Sequence, residues 1–138
     1  MDKKFERLEK FIEIHETAVE NLYLEANIII ANFCKKYGLY FNSGMGCYSI
    51  EYNEIDVDID NWTSKEEIEN YIEELIEDDE EDNTEQIKNF KYILIWYDEY
   101  KEIIEKLESI GERIGEEYFV ANLESVDFSK KKIVKKIT

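Results

Sequence analysis

The side chains of this sequence that could take part in chemistry are mainly carboxylates, and they are concentrated in one segment. Between Glu51 and Gln86 the chain has 17 Asp and Glu residues and one lysine, so this segment has a formal charge of −16, against −17 for all 138 residues. Clustered carboxylates can bind a hard cation, transfer protons or attract a cationic protein surface. The same charge repels nucleic acids and anionic membranes, so direct binding to either is not expected.

The most regular part of the segment is Asp56-x-Asp58-x-Asp60, followed by Glu67. Counted from Asp56, acids occupy positions 1, 3, 5 and 12, which resembles the calcium loop of EF-hands. Asn61 stands where that loop has glycine, and a strand instead of a helix is predicted to precede it. The resemblance implies a calcium site, but alternating Ile and Asp are also typical of a strand exposed on one face. We favour the strand, and calcium binding is a lesser alternative.

Other catalytic groups are scarce. His15 is the only histidine, and its place on the apolar side of a predicted helix indicates a packed or half-buried core residue. Cys34 and Cys47 fit neither a disulfide framework nor a metal-ligand spacing, so we expect two reduced thiols in the core. The turn at 44–46 lacks the Gly-Lys-Ser/Thr of a phosphate-binding loop. We therefore expect no enzyme activity, no metal and no cofactor.

Two long apolar seams predict two long helices, which we expect to pack antiparallel. Spacings of three and four residues predict one helix over residues 3–37, ended by Gly38, and a second over 85–116. Gly111 and Gly115 either allow close approach of another segment or mark the fraying end of the second helix. The first seam consists of Phe5, Leu8, Ile12, His15, Val19, Leu22, Ala26, Ile29 and Phe33, and the second of Phe90, Leu94, Tyr97, Ile104, Leu107, Gly111, Ile114 and Tyr118.

Between the long helices, the apolar residues change from helical spacing to the alternation typical of strands. Short strands are predicted at 39–41, 48–52 and 55–59, with turns at 43–46 and 53–54. Thr63 or Ser64 then caps a helix over about 64–77. The fold class is thus α+β and mainly α: two long antiparallel helices, a small three-stranded antiparallel meander and one short acidic helix in a single domain, 1–138. The conformation of residues 117–138 stays open.

The chain shows no feature of a membrane or secreted protein. No apolar region follows the first charged residues, so no signal peptide is predicted. The longest apolar run, Ala26 to Phe33, is interrupted by Asn27 and Asn32 and is too short to span a bilayer. We expect a cytoplasmic protein.

The placement of the acids on predicted strands and a helix, instead of a tail, indicates a rigid array of negative charge. We predict an inhibitor that imitates nucleic-acid charge and blocks a basic nucleic-acid-binding protein or nuclease, with Trp62 and Tyr71 adding apolar contacts. In composition the chain is similar to phage anti-restriction and anti-CRISPR proteins of the nucleic-acid-mimic type. A nuclease immunity protein would use the same electrostatics. The expected partner-binding residues are Asp56, Asp58, Asp60, Glu66, Glu67, Glu69, Glu73, Glu74, Glu77, Asp78, Asp79, Glu80, Glu81 and Asp82.

Two other interpretations fit the sequence. The acids could serve only as a solvated face that keeps the protein soluble. Alternatively, the protein is a structural or adaptor protein in which the long seams pair between subunits of a homodimer. We rank the adaptor second, because such seams are more often intramolecular core.

Overall fold

A computed structural model describes residues 3–58, 64–78 and 82–129. These residues form three α-helices and one four-stranded antiparallel sheet, which confirms the predicted fold class and adds one strand to it. A 3₁₀ turn, Lys3–Phe5, leads into the first helix. The elements are α1 (Glu6–Tyr37), β1 (Tyr40–Gly44), β2 (Cys47–Tyr52), β3 (Ile55–Val57), α2 (Lys65–Glu77), α3 (Thr84–Ile114) and β4 (Val126–Asp127).

Helix α1 ends where the sequence indicates. Gly38 adopts left-handed backbone angles (φ 69°), and its N–H bonds to the carbonyl of Cys34. Glycine reaches this conformation without the Cβ clash that other residues meet. Lys35 and Lys36 occupy the last turn, where positive charge is favourable against the helix dipole.

Helices α1 and α3 run antiparallel. Near one end of the pair, the rings of Phe33 and Tyr100 stack with centroids 5.7 Å apart. Near the other end, the Tyr23 hydroxyl donates a hydrogen bond of 3.1 Å to Glu116, just past the end of α3. Helix α3 therefore lies beside only the C-terminal part of α1, from about Tyr23 onwards.

The sheet has the strand order β3-β2-β1-β4. Between β2 and β3, Asn53 and Glu54 both have positive φ, which gives the tight two-residue turn predicted there. Strand β4 pairs with β1 through residues 126–127, in the part of the chain whose conformation the sequence left open. Phe41, Ile50 and Val57 lie on one side of the sheet and are fully buried.

The core is built mainly on α3. Its buried side chains contact the C-terminal half of α1, α2 and the inner face of the sheet in one continuous cluster. The largest fully buried side chains of that cluster are Trp96, Tyr100, Phe41, Ile30, Leu39, Ile50, Ile93 and Ile104.

Two expectations about the first helix are wrong. His15 is exposed and is not a core residue, because no described part of the chain packs against that part of α1. The seam itself divides: Ala26 and Phe33 are buried, but Phe5 and Ile12 are 52% and 55% exposed. Helices α1 and α3 are nearly equal in length, with 32 and 31 residues, but they are offset: Tyr37 at the end of α1 bonds to Glu99 in the middle of α3, so the N-terminal part of the seam is uncovered.

The expectation of two core thiols is also half wrong. Cys34 is buried, whereas Cys47 begins strand β2 and is exposed. Burial raises the pKa of the Cys34 thiol to about 12. The two thiols therefore differ in their access to solvent.

Iodoacetamide at pH 8 should modify Cys47 in the native protein and leave Cys34 unmodified. The thiolate is the reactive form, and at pH 8 a pKa of about 12 leaves roughly one Cys34 thiol in 10⁴ ionised. Mass spectrometry should find one label before unfolding in denaturant and two after it. The variant Cys47→Ser should take up no label in the native state. Comparable labelling of both thiols would contradict this assignment.

The two glycines at the end of α3 have different roles. Gly115 ends the helix with a φ of 74°. Gly111 is buried, and a Cβ atom there would lie 2.7 Å from Cβ of Phe119 and 3.0 Å from the carbonyl oxygen of Glu116. Of the two interpretations of Gly111, close approach is therefore correct: the segment after α3 folds back against it.

Replacing Gly111 by Ala should destabilise the protein by about 1–2 kcal/mol. A Cβ–Cβ distance of 2.7 Å is too short for ordinary contact, so overpacking should cost about 2–3 kcal/mol, the upper part of its usual range. The better helix propensity of Ala recovers about 1 kcal/mol of that. Ser109→Ala, at an exposed position two residues away, is the matched control and should leave the stability unchanged or slightly higher. Urea unfolding measures both variants, and a Gly111→Ala protein as stable as the wild type would contradict the close contact.

Candidate functional site

Helix α2 holds much of the acidic segment in an ordered position. Ser64 caps it: the Ser64 hydroxyl oxygen accepts a 3.2 Å hydrogen bond from the backbone N–H of Glu67. Glu66 and Glu67 lie in the first turn, where carboxylates are favourable against the helix dipole. Ile68 and Ile72 are buried in the core cluster, which fixes the rotation of the helix about its axis.

That rotation directs the glutamates outwards. Residues of an α-helix are 100° apart around the axis, so if Ile68 defines 0°, the six glutamates of α2 fall between about 100° and 260°. All of them are exposed. This surface, called the acidic face below, consists of Glu66, Glu67, Glu69, Glu73, Glu74 and Glu77.

Within the described part of the chain, the acidic face makes no salt bridge. None of the salt bridges within residues 3–58, 64–78 and 82–129 includes one of its six carboxylates. Lys65, the one cation of α2, bonds instead to Asp98 on α3 at 2.9 Å, and this hydrogen bond is the main reason that the pKa of Lys65 is raised. The negative charge of α2 therefore faces solvent.

Four further predicted residues lie near the two ends of α2. Asp56 is exposed on β3, and Asp58 follows that strand half-buried. Asp78 is the C-cap of α2. Asp82 precedes α3 and accepts hydrogen bonds from the hydroxyl and backbone N–H of Thr84, which lower the pKa of Asp82. Asp82 therefore has a local structural role at the start of α3.

Part of the predicted surface lies outside the described residues. This holds for Asp60, Asp79, Glu80 and Glu81, and for the aromatic residue Trp62. Their participation stays a prediction.

An apolar cleft of about 540 Å³ opens beside the acidic face, between β3 and α2. Its floor includes Ile55, Val57 and Ile93, and the exposed ring of Tyr71 packs edge-on against Phe90 with centroids 4.9 Å apart. Carboxylates surround this floor, namely Glu54, Asp56 and Glu67. A cleft of this composition suits a side chain that is apolar along its stem and positive at its tip.

Sequence reasoning found Tyr71 and the acids but missed Glu54, Phe90 and Ile93 as parts of one cleft. Glu54 lies in a turn, and the other two belong to a helix 36 or more positions further on. No spacing rule connects these positions, because the pairing of β2 with β3 and the docking of α2 bring them together.

The structure does not test the calcium alternative. Within the described ranges, no group of three or more His, Cys, Asp or Glu side chains is placed to hold a metal ion. Asp60, the central residue of the calcium-like pattern, lies outside those ranges. Asp56 does lie in a strand, as expected, instead of following a helix.

Comparison of the chain with protein-family models, with curated proteins and with solved structures finds no match in any of the three. A search of the described helices also finds none that is long and apolar enough to cross a membrane.

Added NaCl should raise the melting temperature of this protein by a few degrees. The carboxylates of the acidic face repel one another in the folded state, and salt shortens the screening length from about 30 Å at 0.01 M to about 3 Å at 1 M. Differential scanning calorimetry between 20 mM and 500 mM NaCl measures the effect. The triple variant Glu69→Lys, Glu73→Lys, Glu77→Lys should show a smaller rise, and equal rises would contradict a repulsive acidic face.

Proposed function

We propose that this protein is a non-catalytic inhibitor that binds the nucleic-acid groove of a basic protein by imitating nucleic-acid charge. The observation that supports this most is the acidic face, six exposed carboxylates on one side of a capped and packed helix. A charged tail has to be ordered when it binds, whereas these charges are already fixed.

The charge density of the acidic face suits this role. From Glu66 to Glu77 the helix rises about 16 Å, so its six charges are spaced by about 3 Å along the axis. Nucleic acid carries one charge per roughly 3.4 Å along a single strand and per 1.7 Å along a duplex. A groove that neutralises phosphates therefore meets a similar line of charge on α2.

The apolar cleft adds desolvated contacts, which exposed charges alone do not provide. Exposed ion pairs contribute little affinity in water, and tight complexes depend on a few desolvated anchors. An Arg or Lys side chain of the partner could place its stem over Ile55 and Tyr71 while its charged end meets Glu67 or Asp56. We expect this anchor to determine specificity and the acidic face to determine the rate of association.

The class of target follows only broadly from this chemistry. Restriction enzymes, CRISPR effectors and nuclease toxins all hold nucleic acid in a cationic groove, so an anti-restriction, anti-CRISPR or immunity role would use the same surface. Each of these targets is expected to be a cytoplasmic protein, and each would lose its nucleic acid when the inhibitor binds.

A second candidate, a structural or adaptor protein, is favoured by one observation. The first seam is uncovered over its N-terminal part, which leaves an apolar helix surface available to another subunit. A homodimer formed in this way is compatible with an acidic face that remains exposed, so the two functions do not exclude each other.

Displacement of DNA tests the proposed function. Purified restriction, CRISPR-effector and toxin nucleases are each loaded with fluorescently labelled duplex DNA under non-cleaving conditions, and anisotropy is followed as the protein is added. At least one nuclease should release its DNA, and the concentration for half-release should rise more than tenfold between 50 and 300 mM NaCl. Failure to displace DNA from any nuclease in the panel would contradict the proposal.

A matched pair of variants separates the acidic face from net charge. The triple Glu69→Lys, Glu73→Lys, Glu77→Lys should weaken displacement at least tenfold. The triple Glu112→Lys, Glu117→Lys, Glu124→Lys changes the net charge equally at exposed positions elsewhere and should weaken it less than threefold. Circular dichroism confirms that both variants fold. Equal weakening by the two triples would show that the acidic face is not the binding surface.

A further inference from the structure

The N-terminal part of α1 carries an apolar stripe that nothing in the described chain covers. Every residue from 5 to 18 is exposed, and this stretch is called the arm below. Its large apolar side chains are exposed to more than half, with Phe5 at 52%, Leu8 at 55%, Phe11 at 58% and Ile12 at 55%. At 1.5 Å per residue the arm extends about 20 Å beyond the rest of the described chain.

The stripe continues the face by which α1 joins the core. At 100° per residue, Phe5, Leu8 and Ile12 fall on the same side of the helix as the buried Ala26 and Ile30. Val19 is half-buried and is the first residue of α1 after the arm that the rest of the chain partly covers. The chain thus repeats its core-forming pattern over about four further turns that lack a partner, and a contiguous apolar surface of this kind indicates an interaction site.

The stretches 59–63, 79–81 and 130–138 are too short or too distant to reach Phe5, Leu8 and Ile12. Residues 59–63 and 79–81 flank α2, which lies at the other end of the molecule: Lys65 bonds to Asp98, and the neighbouring Glu99 bonds to Lys36 near the end of α1. Residues 130–138 follow Ser129, near Gly38, and nine extended residues span at most about 32 Å. The 26 residues of helix between Gly38 and Ile12 measure about 39 Å.

We propose that the arm pairs with the arm of a second copy of this chain, in the antiparallel direction, to form a two-fold symmetric dimer. Steric exclusion sets the direction. From Val19 onwards the protein's own core occupies the seam side of α1, so in a parallel pair the two cores would collide on the facing sides of the helices. In an antiparallel pair each arm ends before it reaches the partner's core, and the two cores lie at opposite ends.

The spacing of the seam defines the contacts. With the two-fold axis near Lys10 and Phe11, Leu8 packs against the partner's Ile12, and Phe5 packs against the partner's His15. Phe11 flanks the seam and meets the partner's Phe11 across the axis. This contact explains why an apolar residue occupies a flanking position at the centre of the arm.

The charges of α1 also fit an antiparallel pair. Residues 3–10 contain four Lys or Arg and two Glu, whereas residues 11–34 contain no Lys or Arg and include Glu13, Glu16 and Glu20. An antiparallel partner brings its cationic end beside this acidic stretch. It also keeps two strongly negative protein bodies apart, which lowers their mutual repulsion.

The buried area suits a weak but specific dimer. Each of the four large side chains would lose on the order of 100 Å² of exposed surface, so the two arms together bury on the order of 800 Å² of apolar surface. His15 and the stems of flanking charged residues bring the total to about 1,000 Å², the lower end for a biological interface. We therefore expect a dissociation constant in the micromolar range.

Sedimentation equilibrium from 5 to 300 µM tests the dimer with a matched pair of variants. The wild type should approach twice its monomer mass of 16.6 kDa as concentration rises. Ile12→Glu, on the seam, should be monomeric throughout, whereas Ile14→Glu, two residues away on another face and 63% exposed, should dimerise like the wild type. His15→Leu should tighten the dimer at least fivefold. A wild type that stays monomeric at 300 µM would overturn the proposal.

Disulfide trapping tests the direction. In a Cys47→Ser background, Phe11→Cys should form a covalent dimer on mild oxidation, because the two Phe11 positions meet at the axis, and Leu8→Cys should not. The reverse result would show a parallel pair and overturn the antiparallel assignment.

The dimer does not depend on the proposed inhibition. The triple variant Glu69→Lys, Glu73→Lys, Glu77→Lys should dimerise normally, and Ile12→Glu should still displace DNA.

Discussion

Burial of apolar side chains on α3 is the interaction on which the other parts of this protein depend. The face that includes Ile93, Trp96 and Tyr100 is completely buried, and α1, α2 and the sheet all join the cluster around it. This burial has to outweigh both the loss of chain entropy and the self-repulsion of a chain with a net charge of −17. A single central helix makes this possible, because it serves every other element as a packing surface.

The same arrangement separates charge from core. Ile68 and Ile72 attach α2 to the core cluster, and this attachment turns the glutamates of α2 away from the core and towards solvent. Repulsion among the carboxylates is reduced by solvent on the outer side of the helix, where the dielectric constant is high. A charge-presenting surface can therefore coexist with a stable fold, provided that each acidic element has an apolar underside.

The offset between α1 and α3 has a consequence at the other end of the molecule. Helix α3 ends at Ile114 beside Tyr23, and the segment after it folds back onto Gly111. The seam of α1 continues past this point, so the same pattern of apolar residues is core in one half of the helix and surface in the other. Hydrophobic periodicity shows which face of a helix is apolar. The position of the neighbouring helix decides whether that face is buried within the chain or exposed.

The sequence alone determined the local elements: helix periods, the Gly38 stop, the Ser64 cap and the turn at Asn53 and Glu54 all depend on residues close together in the chain. The exposure of His15 and Cys47, the fourth strand and the cleft beneath Tyr71 were decided by tertiary structure. Each of these depends on which distant segments meet, and the free energy of such contacts is not encoded in the spacing of neighbouring residues. Charge along the chain was readable from composition, but its orientation on one face of α2 required the packing of that helix against α3.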